Sequence, residues 1–233
     1  MRVLSIDIGV KNFAMCIEDF DQSQLDKFAQ EYKQNFKTSK LRSDPNNEPT
    51  EEYAKFLNRL MAECSKTLMC TKIDFSNEKS AKNKRGQVVL DNNIFFSIVQ
   101  NLDKFKDQFD QVDYIVIERQ LKTNPSAQEI EHHVHAYFIN KYGISKEVVN
   151  FESRHKTRVL CCPKKIMKDG KLKNIDKPFR KKWTTNKVMN VMMERKDKDT
   201  FDYIFSKNKS KADDLSDTIC QAISFAILRF IEK

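Results

Sequence analysis

The chain has 233 residues, of which 39% are hydrophobic and 32% are charged. These values favour one α/β domain of roughly 150–200 residues plus insertions, with a single sizeable core under a well-solvated surface. They argue against a membrane partner, because no apolar run reaches the roughly 18 residues that a spanning helix needs. Asp7 interrupts the first apolar stretch, so we expect no secretory signal peptide and six free thiols in a reducing intracellular compartment.

Positive charge is concentrated in one segment. The net charge of the chain is +9, yet residues 154–182 contain twelve Lys or Arg against only two Asp, a local charge of +10. Such a segment is typical of a surface that binds polyanions, although a solvated loop without a partner would have the same composition.

The N-terminal third predicts a β-hairpin followed by an insertion. Residues 3–8 alternate as a strand does, Gly9 allows a turn, and residues 13–17 predict the second strand. Residues 20–66 are rich in Gln, Lys, Asn and Glu, which indicates a polar, linker-like insertion ending in an amphipathic helix. A third strand is predicted at 69–75 and a polar, basic turn at 77–87.

The rest of the chain alternates between helical and strand patterns. Residues 197–211 are polar and are predicted to be mobile unless their aromatic side chains dock. The order of elements implies a mixed sheet with helices on both faces. The predicted segments are a helix at 94–109, a buried strand at 112–117 that ends in Glu118, a helix at 124–141, a strand at 147–151, and helices at 179–195 and 213–231.

Three sets of acidic residues lie against this apolar structure. Asp7 lies in the first strand, and Glu118 ends the buried one, where a carboxylate is costly unless a positive group meets it. Asp213, Asp214 and Asp217 open the last helix, where acids also cap the helix and compensate its dipole. Each set also has a structural explanation: turn chemistry for Asp7, pairing with the adjacent arginine for Glu118, and capping for Asp213 and Asp214. Capping explains Asp217 less well.

Taken together, the acids predict a metal site. Mg²⁺ is typically held by a few carboxylates with water and substrate phosphate, and two such ions roughly 3.5–4 Å apart can promote phosphodiester cleavage. Helical spacing brings Asp217 close to both Asp213 and Asp214, so its partner is left open. With the basic segment as a phosphate-binding surface, the sequence predicts a magnesium-dependent DNA nuclease.

Three motifs carry a family resemblance. They read Ser-Ile-Asp-Ile-Gly-Val-Lys-Asn at residues 5–12, Ile-Val-Ile-Glu-Arg-Gln at 115–120 and Lys-Ala-Asp-Asp-Leu-Ser-Asp at 211–217. In this order the set resembles the motifs of RuvC-like Holliday junction resolvases, in particular the poxvirus and mitochondrial branch. The resemblance covers roughly residues 1–20 and 90–233.

The resemblance implies specific residue roles. Asp7, Glu118, Asp214 and Asp217 match the catalytic, metal-binding acids of the family. Asn12 and Gln120 match neighbouring motif positions that support the site. The basic residues that we expect to contact DNA are Lys11 and Arg119, from the motifs, and Arg180, Lys181 and Lys182, from the basic segment.

The resemblance also implies a fold and an activity. The fold is RNase H-like: one α/β domain over residues 1–233 with a five-stranded mixed sheet flanked by helices, the first three strands antiparallel, and the polar and helical insertion at about 20–66. The activity is symmetric resolution of four-way DNA junctions by a homodimer that uses Mg²⁺ or Mn²⁺, as two ions. The insertion exceeds what the family hairpin requires and is an extra DNA-binding element, a dimer element or a tolerated loop. A large DNA virus, and hence the cytoplasm, is compatible with this branch; mitochondria and the nucleus are the alternatives.

Three other functions compete with this interpretation. Another RNase H-like nuclease would cut flaps, branched DNA or RNA–DNA hybrids. An actin-like ATPase also begins with a strand ending in Asp-x-Gly, but it needs clustered glycine loops, and the four glycines here are dispersed. A non-catalytic nucleic-acid-binding module would use the basic segment alone and would not need the matched acids.

Overall fold

The computed structural model describes residues 1–76 and 88–232, so the turn predicted at 77–87 lies outside the described residues. The strands are β1 (Arg2–Asp7), β2 (Phe13–Phe20), β3 (Ser65–Ile73), β4 (Tyr114–Arg119), β5 (Glu147–Glu152), β6 (Lys165–Lys168) and β7 (Lys171–Asn174). The α-helices are α1 (Gln22–Asn35), α2 (Ser39–Arg42), α3 (Glu51–Glu63), α4 (Asn92–Asp103), α5 (Lys106–Asp110), α6 (Pro125–Tyr142), α7 (Ser153–Val159), α8 (Lys177–Arg195), α9 (Lys198–Phe201) and α10 (Ala212–Ala226).

Five strands form the central sheet in the order β3-β2-β1-β4-β5. β1 pairs antiparallel with β2, and β2 pairs antiparallel with β3. β4 runs parallel to both β1 and β5. The predicted five-stranded mixed sheet, with its first three strands antiparallel, is therefore confirmed.

Alternation along the strands divides the core between the two faces of the sheet. In β1, Val3 joins a buried cluster that includes side chains of α1, α3, α8 and α10. Leu4 and Ile6 point the other way and pack with side chains of α4 and α6. The prediction of helices on both faces is confirmed, and none of the helices within residues 1–76 and 88–232 is long and apolar enough to cross a membrane.

The insertion is more ordered than its composition predicts. Asp21 caps α1, which buries Leu25, Phe28 and Tyr32. These side chains form an aromatic cluster with α3, in which the rings of Phe28 and Phe56 lie 5.4 Å apart. The prediction of a linker-like stretch before α3 was wrong, because frequent Gln and Lys residues concealed an apolar stripe that packs on the sheet.

The basic segment also contains regular structure that its composition did not predict. It begins with α7, continues into the two-stranded β6–β7 ribbon and ends in the first turns of α8. Asp169 and Gly170 join the two strands with φ values of 54° and 71°, the positive values that a tight hairpin turn requires.

Two other predictions needed adjustment. The helix expected at 94–109 is divided into α4 and α5 at Lys104 and Phe105. Residues 198–211 form short helical turns that bury Ile204 completely. The segment therefore packs against the domain and does not form the mobile loop that its polar composition suggested.

A buried ion pair fixes the C-terminal end of α8 against the sheet. The Arg195 guanidinium contacts the Glu18 carboxylate at 3.0 Å and donates to Ser65 Oγ at 2.7 Å and to the Met61 carbonyl at 2.9 Å. Glu18 is fully buried, and the Arg195 side chain is 4% exposed. This pair joins α8 to β2, β3 and α3.

We predict that Arg195→Leu destabilises the protein by about 3–5 kcal/mol, because it leaves the Glu18 charge buried without its partner. Urea unfolding monitored by circular dichroism would measure the change. The double variant Arg195→Leu/Glu18→Gln should recover part of the loss. Equal stability of the single variant and the unaltered protein would contradict the prediction.

Candidate active site

The pairing of β1 with β4 places two of the predicted acids side by side. The strands are parallel and Ile6 lies opposite Ile117, so the next residues, Asp7 and Glu118, are neighbours at the same end of the sheet. The chain turns away directly after Asp7. At Gly9 a Cβ atom would lie 3.2 Å from the Asn12 carbonyl oxygen, which favours glycine in this turn.

Helix α10 brings the remaining acids to the same place. The buried side-chain amide of Gln221 donates to the carbonyls of Ile6, at 3.2 Å, and Val116, at 3.1 Å. These bonds attach the helix to both central strands, just before their acids. The beginning of α10, with Asp214 and Asp217, therefore lies over the end of the sheet that carries Asp7 and Glu118.

Lys156 of α7 lies between these carboxylates. Its Nζ is 3.2 Å from Glu118 Oε1 and 3.0 Å from Asp217 Oδ2. The residue is only 6% exposed. α7 follows β5 directly, and β5 is the parallel neighbour of β4, so the topology brings this lysine to the acidic end of the sheet.

Burial and the density of negative charge shift the ionisation of this group. Burial, followed by the nearby Glu118 charge, raises the pKa of Asp7 well above its usual range. Burial opposes ionisation of Glu118 as well, but the Lys156 ammonium, the hydrogen bond with Asp7 and the Lys177 charge together outweigh burial and lower the pKa of Glu118. Burial would lower the pKa of Lys156, yet the carboxylates of Glu118, Asp217 and Asp7 raise it, so the ammonium stays charged.

The three acids of α10 differ in their surroundings. Asp213 forms a close ion pair with Lys181 of α8, and the Lys181 Nζ lies 3.5 Å from Asp214 Oδ1. Burial raises the pKa of Asp213, but the hydrogen bond from Lys181, the Lys181 charge and the backbone hydrogen bonds together outweigh burial and lower that pKa. Burial and the adjacent Asp213 charge raise the pKa of Asp214. Asp214 and Asp217 line the cleft, which is the geometry expected if Asp214, rather than Asp213, partners Asp217.

The acids open into a cleft of about 710 Å³ with a basic rim. Four of the five residues expected to contact DNA line it: Lys11, Arg119, Arg180 and Lys181. Lys182 is exposed on α8 and is not part of this lining. The lining also includes Arg154, Lys156 and Lys177 from the same basic segment.

The donor set of this cleft fits a divalent cation in its chemistry. Four carboxylates from β1, β4 and α10 line one cavity, and hard cations such as Mg²⁺ bind carboxylate oxygens. In the present side-chain positions, however, no three Asp, Glu, His or Cys residues within the described part of the chain are arranged to hold an ion. The Lys156 ammonium lies between two of the acids instead, so a bound ion would have to share or replace its contacts.

Lys156 is a site residue that sequence reasoning missed. It was one of twelve basic residues in a segment interpreted as a surface for polyanions, and its neighbours in sequence are equally basic. The only local signal is weak: it lies in a short stretch after a predicted strand, before the apolar residues Val159 and Leu160. Only the parallel pairing of β5 with β4 distinguishes it from the other lysines.

Comparison of the sequence with known proteins finds two viral relatives. No protein-family model matches the chain. It is 35% identical over 151 residues to "Uncharacterized protein 170L" of Invertebrate iridescent virus 6, and the matched part spans 60% of this chain and 60% of the relative. It is 25% identical over 218 residues to "Uncharacterized protein 97L" of Invertebrate iridescent virus 3, which covers 94% of this chain and 96% of that protein.

Comparison of the structure is more informative about the fold. The complex of fowlpox virus resolvase with its substrate Holliday junction DNA superposes with a TM-score of 0.53 and 16% identity, over 97% of each chain. The crystal structure of the fowlpox virus Holliday junction resolvase gives 0.51 and 14%, over 97% of this chain and 96% of that one. The chain therefore shares its fold with the fowlpox virus Holliday junction resolvase, in agreement with the fold that its three motifs predicted.

Proposed function

We propose that the protein is a structure-specific endodeoxyribonuclease that resolves four-way DNA junctions by divalent-metal-dependent phosphodiester hydrolysis. The observation that carries the proposal is the convergence of Asp7, Glu118, Asp214 and Asp217 in one basic-rimmed cleft. The fold shared with the fowlpox resolvase, which was crystallised with junction DNA, supports the choice of substrate.

The four acids would hold the ions, which we propose are two Mg²⁺ or Mn²⁺. When bound, such ions activate water for attack and stabilise the charge on the leaving oxygen. The protein's own contribution is to fix the four carboxylates on two strand ends and one helix. Lys156 is a positioning residue in this proposal. Its ammonium lies about 3 Å from both Glu118 and Asp217, so it reduces repulsion among the acids and holds these two side chains in place.

The rim of the cleft would position the substrate. Arg154, Lys177 and Arg180 lie around the carboxylates and offer contacts to phosphates on either side of the scissile bond. Lys11 and Arg119 extend the rim near the ends of β1 and β4. Since Lys181 already pairs with Asp213 and Asp214, it supports the acidic helix as much as it offers charge to DNA.

The proposal extends to the assembly and the setting. Symmetric resolution requires two cuts, so we propose a homodimer with one active site in each copy. Two relatives from invertebrate iridescent viruses support a viral origin. We propose that the protein acts on branched DNA in the cytoplasm of the infected cell.

We predict that Asp7→Asn and Glu118→Gln each lower junction cleavage by at least about 100-fold but leave junction binding within about threefold, because metal-assisted chemistry needs the acids while phosphate contacts dominate affinity. Cleavage would be measured on a synthetic four-way junction with Mg²⁺, and binding in EDTA. Asp107→Asn, an exposed acid on α5 at the other end of the sheet, is the matched control.

The same assay should compare the junction with a flap and an RNA–DNA hybrid of related sequence. We expect the junction to be cut fastest. Full activity in either acid variant would refute the catalytic assignment. Faster cutting of the flap or the hybrid than of the junction would indicate another RNase H-like nuclease activity instead of junction resolution.

We predict that Mg²⁺ raises the melting temperature of Lys156→Met more than that of the unaltered protein. Without the ammonium the carboxylates repel one another, so a cation that binds them recovers more free energy. The increase in melting temperature caused by Mg²⁺ should be several degrees larger for Lys156→Met than for the unaltered protein, since 1 kcal/mol corresponds to about 2–4 °C in a domain of this size. Thermal unfolding in EDTA and in Mg²⁺ measures it, with Lys104→Met as the control. Equal Mg²⁺ effects in Lys156→Met and the unaltered protein would argue against the proposed metal site.

We predict that Arg180→Gln weakens binding to DNA of any sequence and reduces the slope of log K against log salt by about 0.9, the value for one phosphate contact. Lys181→Gln should change the slope less, because its ammonium already pairs with two aspartates. Fluorescence anisotropy titrations at several salt concentrations would measure both. An unchanged slope for Arg180→Gln would remove this residue from the DNA-binding surface.

A further inference from the structure

The β6–β7 ribbon, residues Lys165–Asn174, presents an unusual pair of apolar side chains. Met167 and Leu172 are cross-strand partners and are 68% and 59% exposed. Because side chains alternate between the faces of a ribbon, Lys168, Lys171 and Lys173 point to the opposite face. Within its ten residues the ribbon has four lysines and a single acid, Asp169, which pairs with Lys173 at 3.0 Å.

The exposed pair does not support the ribbon itself. A cross-strand apolar pair contributes only modestly to a hairpin, and an isolated two-stranded ribbon is only marginally stable in water. Here the pair faces solvent, so it contributes little to the folded state. Its exposure is better explained by a ligand that packs against it.

The insertion holds the base of the ribbon. The Asn46 side chain accepts from the Lys165 backbone N–H at 2.7 Å and donates to the Lys165 carbonyl at 2.9 Å. The Asn46 carbonyl accepts from the Lys164 N–H at 2.8 Å, and the Asn47 amide donates to the Cys162 carbonyl at 2.9 Å. Asn46 thus completes the end of the ribbon much as a third strand would.

The ribbon is also an extension of the walls of the catalytic cleft. Helix α7, which precedes it, contributes Ser153, Arg154, Lys156 and Thr157 to the lining. Helix α8, which follows it, contributes Lys177, Arg180, Lys181 and Thr184. DNA that occupies the cleft would therefore reach the point where the ribbon leaves the domain.

We propose that the ribbon is a DNA-binding arm that recognises the branch point of the substrate, and that the insertion serves to fix this arm. Its lysines contact phosphates, while Met167 and Leu172 pack against bases that are exposed where stacking is interrupted. Methionine and leucine are among the side chains that proteins insert at opened base steps. A continuous duplex offers no such surface, so the apolar pair favours branched over linear DNA.

This inference rests on the proposed function for the identity of its substrate but is tested by binding alone. The variant Met167→Ser/Leu172→Ser should lose about tenfold in affinity for a four-way junction, as expected when two partly buried apolar contacts are removed. Its affinity for a linear duplex of the same sequence should change less than about twofold, since the lysines remain. Both titrations use the full chain in EDTA at one salt concentration.

Two controls accompany this variant. Ile144→Ser removes a fully exposed apolar side chain in the turn before β5, far from the cleft, and should leave both affinities unchanged. Lys168→Gln/Lys171→Gln should weaken junction and duplex binding together and reduce the salt slope by up to about 1.8. Asn46→Ala should reproduce the loss of junction preference and accelerate amide exchange in the ribbon.

The outcomes separate this inference from the proposed function. If the unaltered protein cleaves junctions and the serine variant keeps its preference for junction over duplex, the arm is refuted and the nuclease stands. If the unaltered protein prefers junctions without cleaving them and the serine variant loses the preference, the arm stands and the catalytic proposal fails. An equal loss of affinity for junction and duplex in the serine variant would also refute the proposal that the ribbon recognises the branch point.

Discussion

The central constraint on this structure is the crowding of carboxylates at one end of its sheet. Asp7, Glu118 and Asp217 meet in a nearly buried space, where ionised acids are costly without a compensating charge. The Lys156 ammonium supplies that charge, at 3.2 Å from Glu118 and 3.0 Å from Asp217. Even so, the pKa of Asp7 remains raised, by burial and by the charge of Glu118, so the group still favours additional positive charge.

The backbone creates this crowding. Parallel pairing of β1 with β4 aligns Asp7 with Glu118, and Gln221 attaches α10 across both strands. The chemistry of the cleft depends on these two contacts, because neither strand nor helix alone brings more than two of the acids together. A cation bound there would add attraction to an arrangement that hydrogen bonds have already fixed.

The basic segment divides into cations with different roles. Lys156 and Lys181 pair with acids of the site, and Arg154 pairs with Glu152 beside the cleft, whereas Lys177 and Arg180 line its rim. The lysines of the β6–β7 ribbon extend into solvent. The insertion, whose composition predicted a polar linker, supports that ribbon through Asn46. Charge in sequence is therefore a poor guide to charge available to a ligand.

The sequence by itself determined the order of strands and helices in the core and the mixed sheet, because alternation and helical spacing are local properties. It also predicted the four acids, because the three motifs that contain them are contiguous. It could not identify α1, whose Leu25, Phe28 and Tyr32 lie in a polar context, or the role of Lys156, which is one lysine among many. Helical spacing left Asp213 and Asp214 equally close to Asp217, and the structure separates them: Asp213 pairs closely with Lys181, whereas Asp214 lines the cleft. These features depend on contacts between residues that are distant in sequence, and such contacts exist only once β5, α8 and α10 have packed against the strands.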